Sequence, residues 1–235
     1  MDWKTYWNES AFVKDVDPCR QVGTTFHQKS YSPAEIAIIV DRILAFLQAD
    51  PEKHLLDLAC GNGMLTSRIA AHFKSVTAVD FSVPLIESAR RHFPRENEEY
   101  VVGDALDLEG IGRQYDCILI YFAFQYFSPR QADSLFGSFD RILKTPGLVL
   151  LGDVADGDRV WSFYRALPGR SRFYVDLIRN KPIIGHWWRP SDLHTLANRH
   201  SLSLSVNYQD CDSPNHYFRY DALLQRKDYS WTAAR

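Results

Sequence analysis

The feature that most constrains the fold of this chain is a short apolar run that leads through a glycine-rich turn directly into a helical pattern. Residues 54–58 are mostly apolar, residues 59–63 contain two glycines, and apolar residues at helical spacing begin at Met64. Strand, glycine turn and helix in this order place backbone N–H groups and a helix N-terminus against a ligand. The pattern therefore predicts an α/β domain whose ligand site lies at the carboxyl ends of its strands.

Short apolar runs alternate with helical patterns along most of the chain. After Ser32, apolar residues at helical spacing follow a proline and a capping box completed by Glu35, which predicts a helix. Further on, the alternation predicts a βαβαβ unit and hence a parallel sheet. Strands are predicted at 54–58, 75–79, 99–102, 117–124 and 148–151, and helices at 64–73, at 83–93 and from Ser128 to the Pro146-Gly147 pair.

The last part of the chain predicts a different pairing of strands. Alternating apolar residues from Leu202 to Tyr208 precede a turn at 213–215, and a second run covers 217–224. Two such runs joined by a turn predict an antiparallel hairpin.

Residues 156–189 form a segment that is rich in aromatic residues and has no regular period. The segment carries seven arginine or lysine residues and three aspartates, so its net charge is +4 in a chain of net charge −2. We interpret it as a cap over the carboxyl edge of the sheet. It is either a solvated pair of amphipathic helices with aromatic side chains packed inward, or a basic, aromatic lid for an anionic substrate.

Composition and charge limit the classes of partner. A chain of 235 residues, 46% hydrophobic and with a net charge of −2, predicts one globular core and no basic surface for nucleic acid or an anionic membrane. Its four cysteines form no C-x-x-C pair, which favours a reducing compartment and no zinc site. Without a signal-peptide pattern or an apolar run of bilayer length, we expect a cytoplasmic protein with a small-molecule partner. The oligomeric state stays open.

Three aspartates lie at the ends of three successive predicted strands. Asp57 is in the first strand, Asp80 follows Gly61 by 19 residues, and Asp104 comes after the third strand. Each could cap a helix, but the carboxyl ends of parallel strands meet at one edge, where ligands bind. Asp80 suits ribose hydroxyls, and Asp104 suits an adenine amino group. Because three carboxylates repel a pyrophosphate, they favour a cofactor with cationic groups over a dinucleotide.

The stretch 54–153 resembles the class I S-adenosylmethionine-dependent methyltransferases, whose first motif is written here Asp57-Leu58-Ala59-Cys60-Gly61-Asn62-Gly63. The resemblance implies a Rossmann-like α/β fold with a seven-stranded, mostly parallel sheet and a C-terminal antiparallel hairpin, to which the aromatic cap is added. It also implies S-adenosylmethionine as the cofactor. One departure from the pattern is Ala59, where many members carry glycine.

The resemblance further implies the residues of the cofactor site. Asp57 would help to bind the amino acid moiety, Asp80 the ribose and Asp104 the adenine. The flanks at 21–24 and 215–221 resemble small-molecule methyltransferases, in which the N-terminal segment folds over the cofactor. We expect a helical segment, 1–50, that covers the site, and a methyltransferase domain, 51–235, with a cap insertion at about 156–189. The expected cofactor-binding residues are Trp7, Thr24, Asp57, Ala59, Gly61, Gly63, Asp80, Phe81, Asp104, Ala105 and Tyr121.

The candidates for a proton acceptor are His186 in the cap and Asp153 after the fifth strand, and an ordinary structural role is the alternative for each. Tyr6, Tyr126 and His216 are expected to face the substrate, and no metal site is expected. Methyl transfer from a sulfonium depends mainly on positioning, so a base matters chiefly for a hydroxyl acceptor.

These features predict S-adenosylmethionine-dependent methyl transfer to a small molecule, at an oxygen or nitrogen of an anionic or sugar-linked metabolite. One alternative is a non-catalytic relative that only binds the cofactor. A nicotinamide-dependent oxidoreductase would need a third glycine near Thr66 and a second βαβ half. A nucleic-acid methyltransferase would need an aromatic-proline motif after the fourth strand, and residues 121–126 contain no proline.

Overall fold

The computed structural model describes residues 2–9, 14–26, 29–166, 171–179 and 184–226. Its main sheet has the strand order β5-β4-β3-β6-β7-β9-β8. The strands are β1 Thr25–Phe26, β2 Lys29–Ser30, β3 His54–Leu58, β4 Ser75–Asp80, β5 Glu98–Val102, β6 Tyr115–Tyr121, β7 Leu143–Ala155, β8 Leu202–Tyr208 and β9 Arg219–Arg226. Strands β3 to β7 pair in parallel, whereas β9 pairs antiparallel with both β7 and β8. The predicted Rossmann-like sheet with a C-terminal hairpin is confirmed.

Helices cover both faces of this sheet. They are α1 Trp3–Glu9, α2 Pro18–Gln21, α3 Pro33–Leu47, α4 Thr66–Ile69, α5 Val83–His92, α6 Pro129–Ile142, α7 Val160–Ala166, α8 Ser171–Ile178 and α9 Pro190–Arg199. The longest two, α3 and α6, both begin with a serine capping box and a proline in the first turn, which satisfies N–H groups that a helix start leaves open. Among the described residues, no helix is both long and apolar enough to cross a membrane.

The core lies in two layers because successive strand residues face opposite sides of the sheet. In β3, Leu56 and Leu58 pack towards α6 and α9, whereas Leu55 packs towards α3 and α4. Strand β6 is buried along most of its length, as its apolar sequence predicts. The layers fix the carboxyl ends of β3, β4 and β6 side by side.

Three predicted boundaries are wrong. The strand predicted at 117–124 ends at Tyr121, because Phe122 adopts a left-handed φ of 60° before a short 3₁₀ turn, Phe124–Tyr126. The helix predicted at 64–73 is α-helical only over α4 and continues as a 3₁₀ turn. The Pro146-Gly147 pair does not end a helix. It lies inside β7, because the chain passes from α6 into extended backbone at Leu143.

The cap contains α7 and α8, and its aromatic side chains pack against one another. Phe173 of α8 lies 5.3 Å from the ring of Trp161 and 5.2 Å from that of Tyr164. Phe163 of α7 lies 4.8 Å from Phe218, next to β9. Inward packing of aromatic rings matches the first interpretation of the cap. Its residues 167–170 and 180–183 lie outside the described residues.

Candidate functional site

A cleft opens at the carboxyl edge of the sheet, beside the turn that follows β3. Its walls come from this turn, from the ends of β4 and β6, and from the N-terminal segment. Eight of the residues singled out from the sequence lie in these walls: Trp7, Thr24, Asp57, Ala59, Gly61, Asp80, Phe81 and Tyr121. Tyr126, expected at the substrate, lies there too.

The glycine turn has a left-handed backbone at three positions. Ala59, Gly61 and Gly63 have φ values of 57°, 58° and 73°. A Cβ on Gly61 would lie 2.8 Å from Cγ1 of Val22, so this glycine lets the N-terminal segment pack closely on the turn. A Cβ on Gly63 would meet the Tyr100 ring at 2.5 to 2.8 Å. Gly63 therefore serves the packing of the turn against β5 and lies outside the walls of the cleft.

Asp80, the last residue of β4, holds the glycine turn in place. One carboxylate oxygen accepts the Gly61 N–H at 2.9 Å, and the other accepts the Ser82 N–H at 2.8 Å. Burial raises the pKa of Asp80, and the two backbone N–H donors oppose that rise. A carboxylate with two fixed donors still has free lone pairs, which can accept hydrogen bonds from a ligand in the cleft.

Asp57, in β3, lies next to Asp80 in the walls and is 3% exposed. Its carboxylate accepts a hydrogen bond from the Thr66 hydroxyl at 2.6 Å. Burial raises the pKa of Asp57 to about 7, and the charge of Asp80 adds to the rise. A cation placed in the cleft would favour the ionised form of this group.

The segment 18–24 forms a wall that is bound directly to the glycine turn. The Asn62 amide donates to the Pro18 carbonyl at 2.9 Å and to the Gln21 side chain at 2.8 Å. The Thr24 hydroxyl is buried, and none of the described residues offers it a hydrogen-bond partner. The wall thus presents one unsatisfied polar group to the cleft.

Helix α1 covers a second, adjoining cleft, which shares Trp7, Asp80 and Tyr126 with the first. Asp104 and Ala105, both expected at the cofactor, lie in its walls. The Lys4 ammonium lies 2.5 Å from the Asp104 carboxylate. The Ser82 hydroxyl donates to the Trp7 carbonyl at 3.1 Å. These contacts hold α1 against the ends of β4 and β5.

Comparison with known proteins agrees with this geometry. A family described as the methyltransferase domain matches residues 55–147. The chain is 32% identical to the demethylmenaquinone methyltransferase of Thermotoga maritima over 127 residues, which are 50% of this chain and 53% of that protein. The chain thus spans about half the length of this relative. It is 25% identical to a ubiquinone biosynthesis O-methyltransferase of Coxiella burnetii, over 68% of this chain and 76% of that one.

Solved structures share the fold across nearly the whole chain. Magnesium protoporphyrin IX methyltransferase from Synechocystis, with bound S-adenosylmethionine, superposes with a TM-score of 0.64 at 15% identity, over 97% of this chain and 98% of that one. A cyclopropane synthase from Mycobacterium tuberculosis superposes with a TM-score of 0.69 at 16% identity, over 95% and 96%. Both structures share with this chain a Rossmann-like fold with a seven-stranded, mostly parallel sheet.

The residues of the cleft fit S-adenosylmethionine, the ligand bound in the magnesium protoporphyrin IX methyltransferase structure. S-adenosylmethionine carries a sulfonium and an ammonium group, and the cleft offers two buried carboxyl groups, Asp57 and Asp80. The orphaned Thr24 hydroxyl supplies a polar partner, and Phe81 supplies an apolar surface. Among the described residues, no cluster of His, Cys, Asp or Glu could hold a metal ion.

Asp153 lies in a buried ionic cluster and not in the walls of either cleft. It occupies a register break in β7, with a left-handed φ of 57°. Its carboxylate lies 3.3 Å from Nε of Arg219 and accepts a hydrogen bond from the Gln209 amide at 3.1 Å. The Asp153 N–H donates to the Asp221 carboxylate at 2.8 Å. Burial raises the pKa of Asp221 to about 6.

The other candidates also lie outside the cleft walls. The His186 ring packs 4.5 Å from that of Trp188, and its backbone N–H donates to the Gln125 carbonyl at 2.6 Å. His216 contacts the Ser213 carbonyl through Nδ1 at 2.7 Å. The Tyr6 ring packs edge to face on the Trp7 ring, with centroids 5.2 Å apart.

The sequence did not single out several apolar residues of the walls, because neighbours of a motif cannot be told from core residues by pattern alone. Examples are Phe122, Met64 and Leu119. The side chains of Met64 and Leu119 also pack in the core between β3, β6 and α3. Asn62 could have been identified from the sequence, because a buried amide inside a glycine turn needs hydrogen-bond partners.

Proposed function

We propose that this protein transfers a methyl group from S-adenosylmethionine to an oxygen or nitrogen atom of a small-molecule acceptor. The observation that carries the proposal is the pair of buried carboxyl groups, Asp57 and Asp80, on either side of the glycine turn. The names of the relatives, which include demethylmenaquinone and ubiquinone biosynthesis enzymes, support a small molecule as the acceptor.

In this proposal, Asp80 accepts hydrogen bonds from the ribose hydroxyls and Asp57 attracts the ammonium group. Thr24 and the backbone of Ala59 and Gly61 bind the amino acid part, and Asp104 binds the adenine from the adjoining cleft. When bound, the cofactor supplies a methyl group on a sulfonium, whose leaving group is neutral. The chain therefore contributes mainly position and the exclusion of water.

Aromatic side chains exclude water from the cleft. Trp7 and Trp3 pack on the ring of Tyr126, with centroids 5.8 and 4.6 Å apart, and thereby place α1 over the cleft. Segment 1–50 thus acts as the cover of the site and 51–235 as the methyltransferase domain. Tyr121, with Phe122 beside it at 4.8 Å, forms the floor.

The aromatic walls favour a planar, mostly apolar acceptor. The expectation of an anionic or sugar-linked acceptor rested on the charge of the cap. Among the described residues, none from 156–189 lies in the walls of either cleft. Tyr6, Tyr126 and His216 remain proposed acceptor contacts.

For a hydroxyl acceptor, we propose His186 as the proton acceptor and Asp153 as a positioning residue. Burial lowers the pKa of His186, so its imidazole is neutral at pH 7 and can accept a proton. The carboxylate of Asp153 already forms an ion pair with Arg219 and accepts a hydrogen bond from the Gln209 amide. His186→Ala should lower kcat and leave cofactor affinity unchanged, whereas His194→Ala, on the exposed side of α9, should change neither.

Isothermal titration with S-adenosylmethionine and S-adenosylhomocysteine tests cofactor binding. Asp80→Asn removes the negative charge of the group that accepts hydrogen bonds from the ribose. Because losing these charge-assisted hydrogen bonds costs about 2 kcal/mol, the variant should bind roughly 30-fold more weakly. Asp107→Asn, an exposed aspartate near the same edge, is the matched control and should bind normally. If the wild type binds neither ligand, or if Asp80→Asn binds as tightly as the wild type, the proposal fails.

A screen with methyl-labelled cofactor separates an enzyme from a relative that only binds. Quinol-like and phenolic acceptors should take up label, and their carboxylated or phosphorylated analogues should react no better. A protein that binds the cofactor and labels no acceptor would support the non-catalytic alternative.

A further inference from the structure

The outward face of α8 is apolar, although it is exposed. Tyr174, Val175 and Ile178 are 55%, 38% and 84% exposed. Their spacing of one, three and four residues places them on one side of a helix. The opposite side carries Phe173, which packs on Trp161 and Tyr164. Helix α8 therefore has an inner face that anchors it and an outer apolar face that faces solvent.

In the sequence, positive charge accompanies the same two helices. At the borders of the cap, Arg159 pairs with Asp156 and Arg189 pairs with Asp158, each at 3.3 Å, so these four charges cancel. Residues 160–181 retain five arginine or lysine residues and one aspartate, a net charge of +4. Arg165 and Arg179 are exposed, and neither forms an ion pair with another described residue.

We propose that the surface formed by α7 and α8 docks this protein onto an anionic lipid bilayer. A short helix with apolar residues on one side and arginines around it suits the plane of the membrane interface, where the arginines meet lipid phosphates. At 1.5 Å per residue, an eight-residue helix is about 12 Å long, which suits lying on a bilayer and not crossing it.

Charge and chemistry favour lipid over other partners. A second copy docked through the same face would bring the positive charges of Arg165 and Arg179 against the same charges in its partner, which opposes a twofold interface. Apolar side chains such as Ile178 do not complement a nucleic-acid backbone. The net charge of −2 led to the expectation that no membrane is a partner, but that total includes the segment 160–181, whose own net charge is +4.

Vesicle co-sedimentation of the full chain tests the proposal. The wild type should bind vesicles of phosphatidylcholine with an equal part of phosphatidylglycerol, and not vesicles of phosphatidylcholine alone. Ile178→Asp should weaken binding by about tenfold, because it removes an apolar side chain that the bilayer would bury and adds a charge that lipid phosphates repel. Arg165→Gln and Arg179→Gln should each weaken it by about fivefold.

Matched controls come from exposed residues elsewhere. Val16→Asp changes a valine that is 97% exposed, and Arg130→Gln changes an exposed arginine at the start of α6; both should bind as the wild type does. Circular dichroism checks that every variant folds. The proposal is overturned if the wild type ignores anionic vesicles, if the controls lose binding equally, or if Ile178→Asp instead dissociates a dimer. None of these assays depends on methyl transfer.

Discussion

The pH dependence of cofactor binding follows from the buried carboxyl group of Asp57. Burial raises its pKa to about 7, so in the free protein this group is about half protonated at pH 7. An ammonium group in the cleft favours the carboxylate, so binding should draw the proton off. The ionised fraction rises from about one-eleventh at pH 6 to about ten-elevenths at pH 8, which predicts roughly tenfold tighter binding at pH 8.

Isothermal titration at pH 6, 7 and 8, in buffers of different ionisation enthalpy, measures the Kd and the number of protons released on binding. At pH 7, about half a proton should be released for each S-adenosylmethionine bound. Asp57→Asn retains an acceptor for the Thr66 hydroxyl but cannot titrate, so it should bind more weakly and lose this pH dependence. An unchanged Kd from pH 6 to 8 in the wild type, or an unaltered slope in Asp57→Asn, would refute the reasoning.

The raised pKa of Asp57 also affects the stability of the protein without ligand. A pKa raised from 3.8 favours the protonated folded state. The stability that this contributes is therefore fully present below about pH 4 and is lost as the pH rises through about 7. Against this background, Asp57→Asn should unfold at a higher urea concentration than the wild type at pH 8, with the difference shrinking towards pH 5.

Three further substitutions test the architecture by urea unfolding. Gly152→Ala would place a Cβ 2.0 Å from the ring of the last residue of β6 and should cost about 1–3 kcal/mol, whereas Gly112→Ala, with open space around it, should cost little. Ala59→Gly relieves a left-handed alanine, φ 57°, and should stabilise the fold by up to about 1 kcal/mol. Asp153→Ala leaves Arg219 buried without its partner and should cost about 3–5 kcal/mol, while replacing both by leucine and methionine should cost less.

Local signals were sufficient for much of the fold. Serine capping boxes fix the starts of α3 and α6, and the alternating residues of β8 predict its bounds, Leu202–Tyr208. The spacing from Gly61 to Asp80 predicts their contact, because parallel strands bring both to one edge. These features depend on residues close in sequence or on the regular geometry of a βαβ unit.

Features that depend on distant residues could not be predicted. Asp153 follows the active edge in sequence, but its partner Arg219 lies in β9, 66 residues later, and turns a candidate base into a structural ion pair. The end of β6 was misplaced because nothing in an apolar run marks Phe122 as left-handed. The sequence likewise does not show which charges of the cap are neutralised by ion pairs, such as the pair of Arg159 with Asp156.

The most direct test of the central claim is a crystal structure of the protein with S-adenosylhomocysteine. The ligand should fill the cleft beside the glycine turn, with its ribose hydroxyls on the Asp80 carboxylate and its ammonium group near Asp57. Helix α1 should stay closed over the ligand through Trp7. Ligand bound elsewhere, or with both carboxyl groups left without contact to it, would contradict the account.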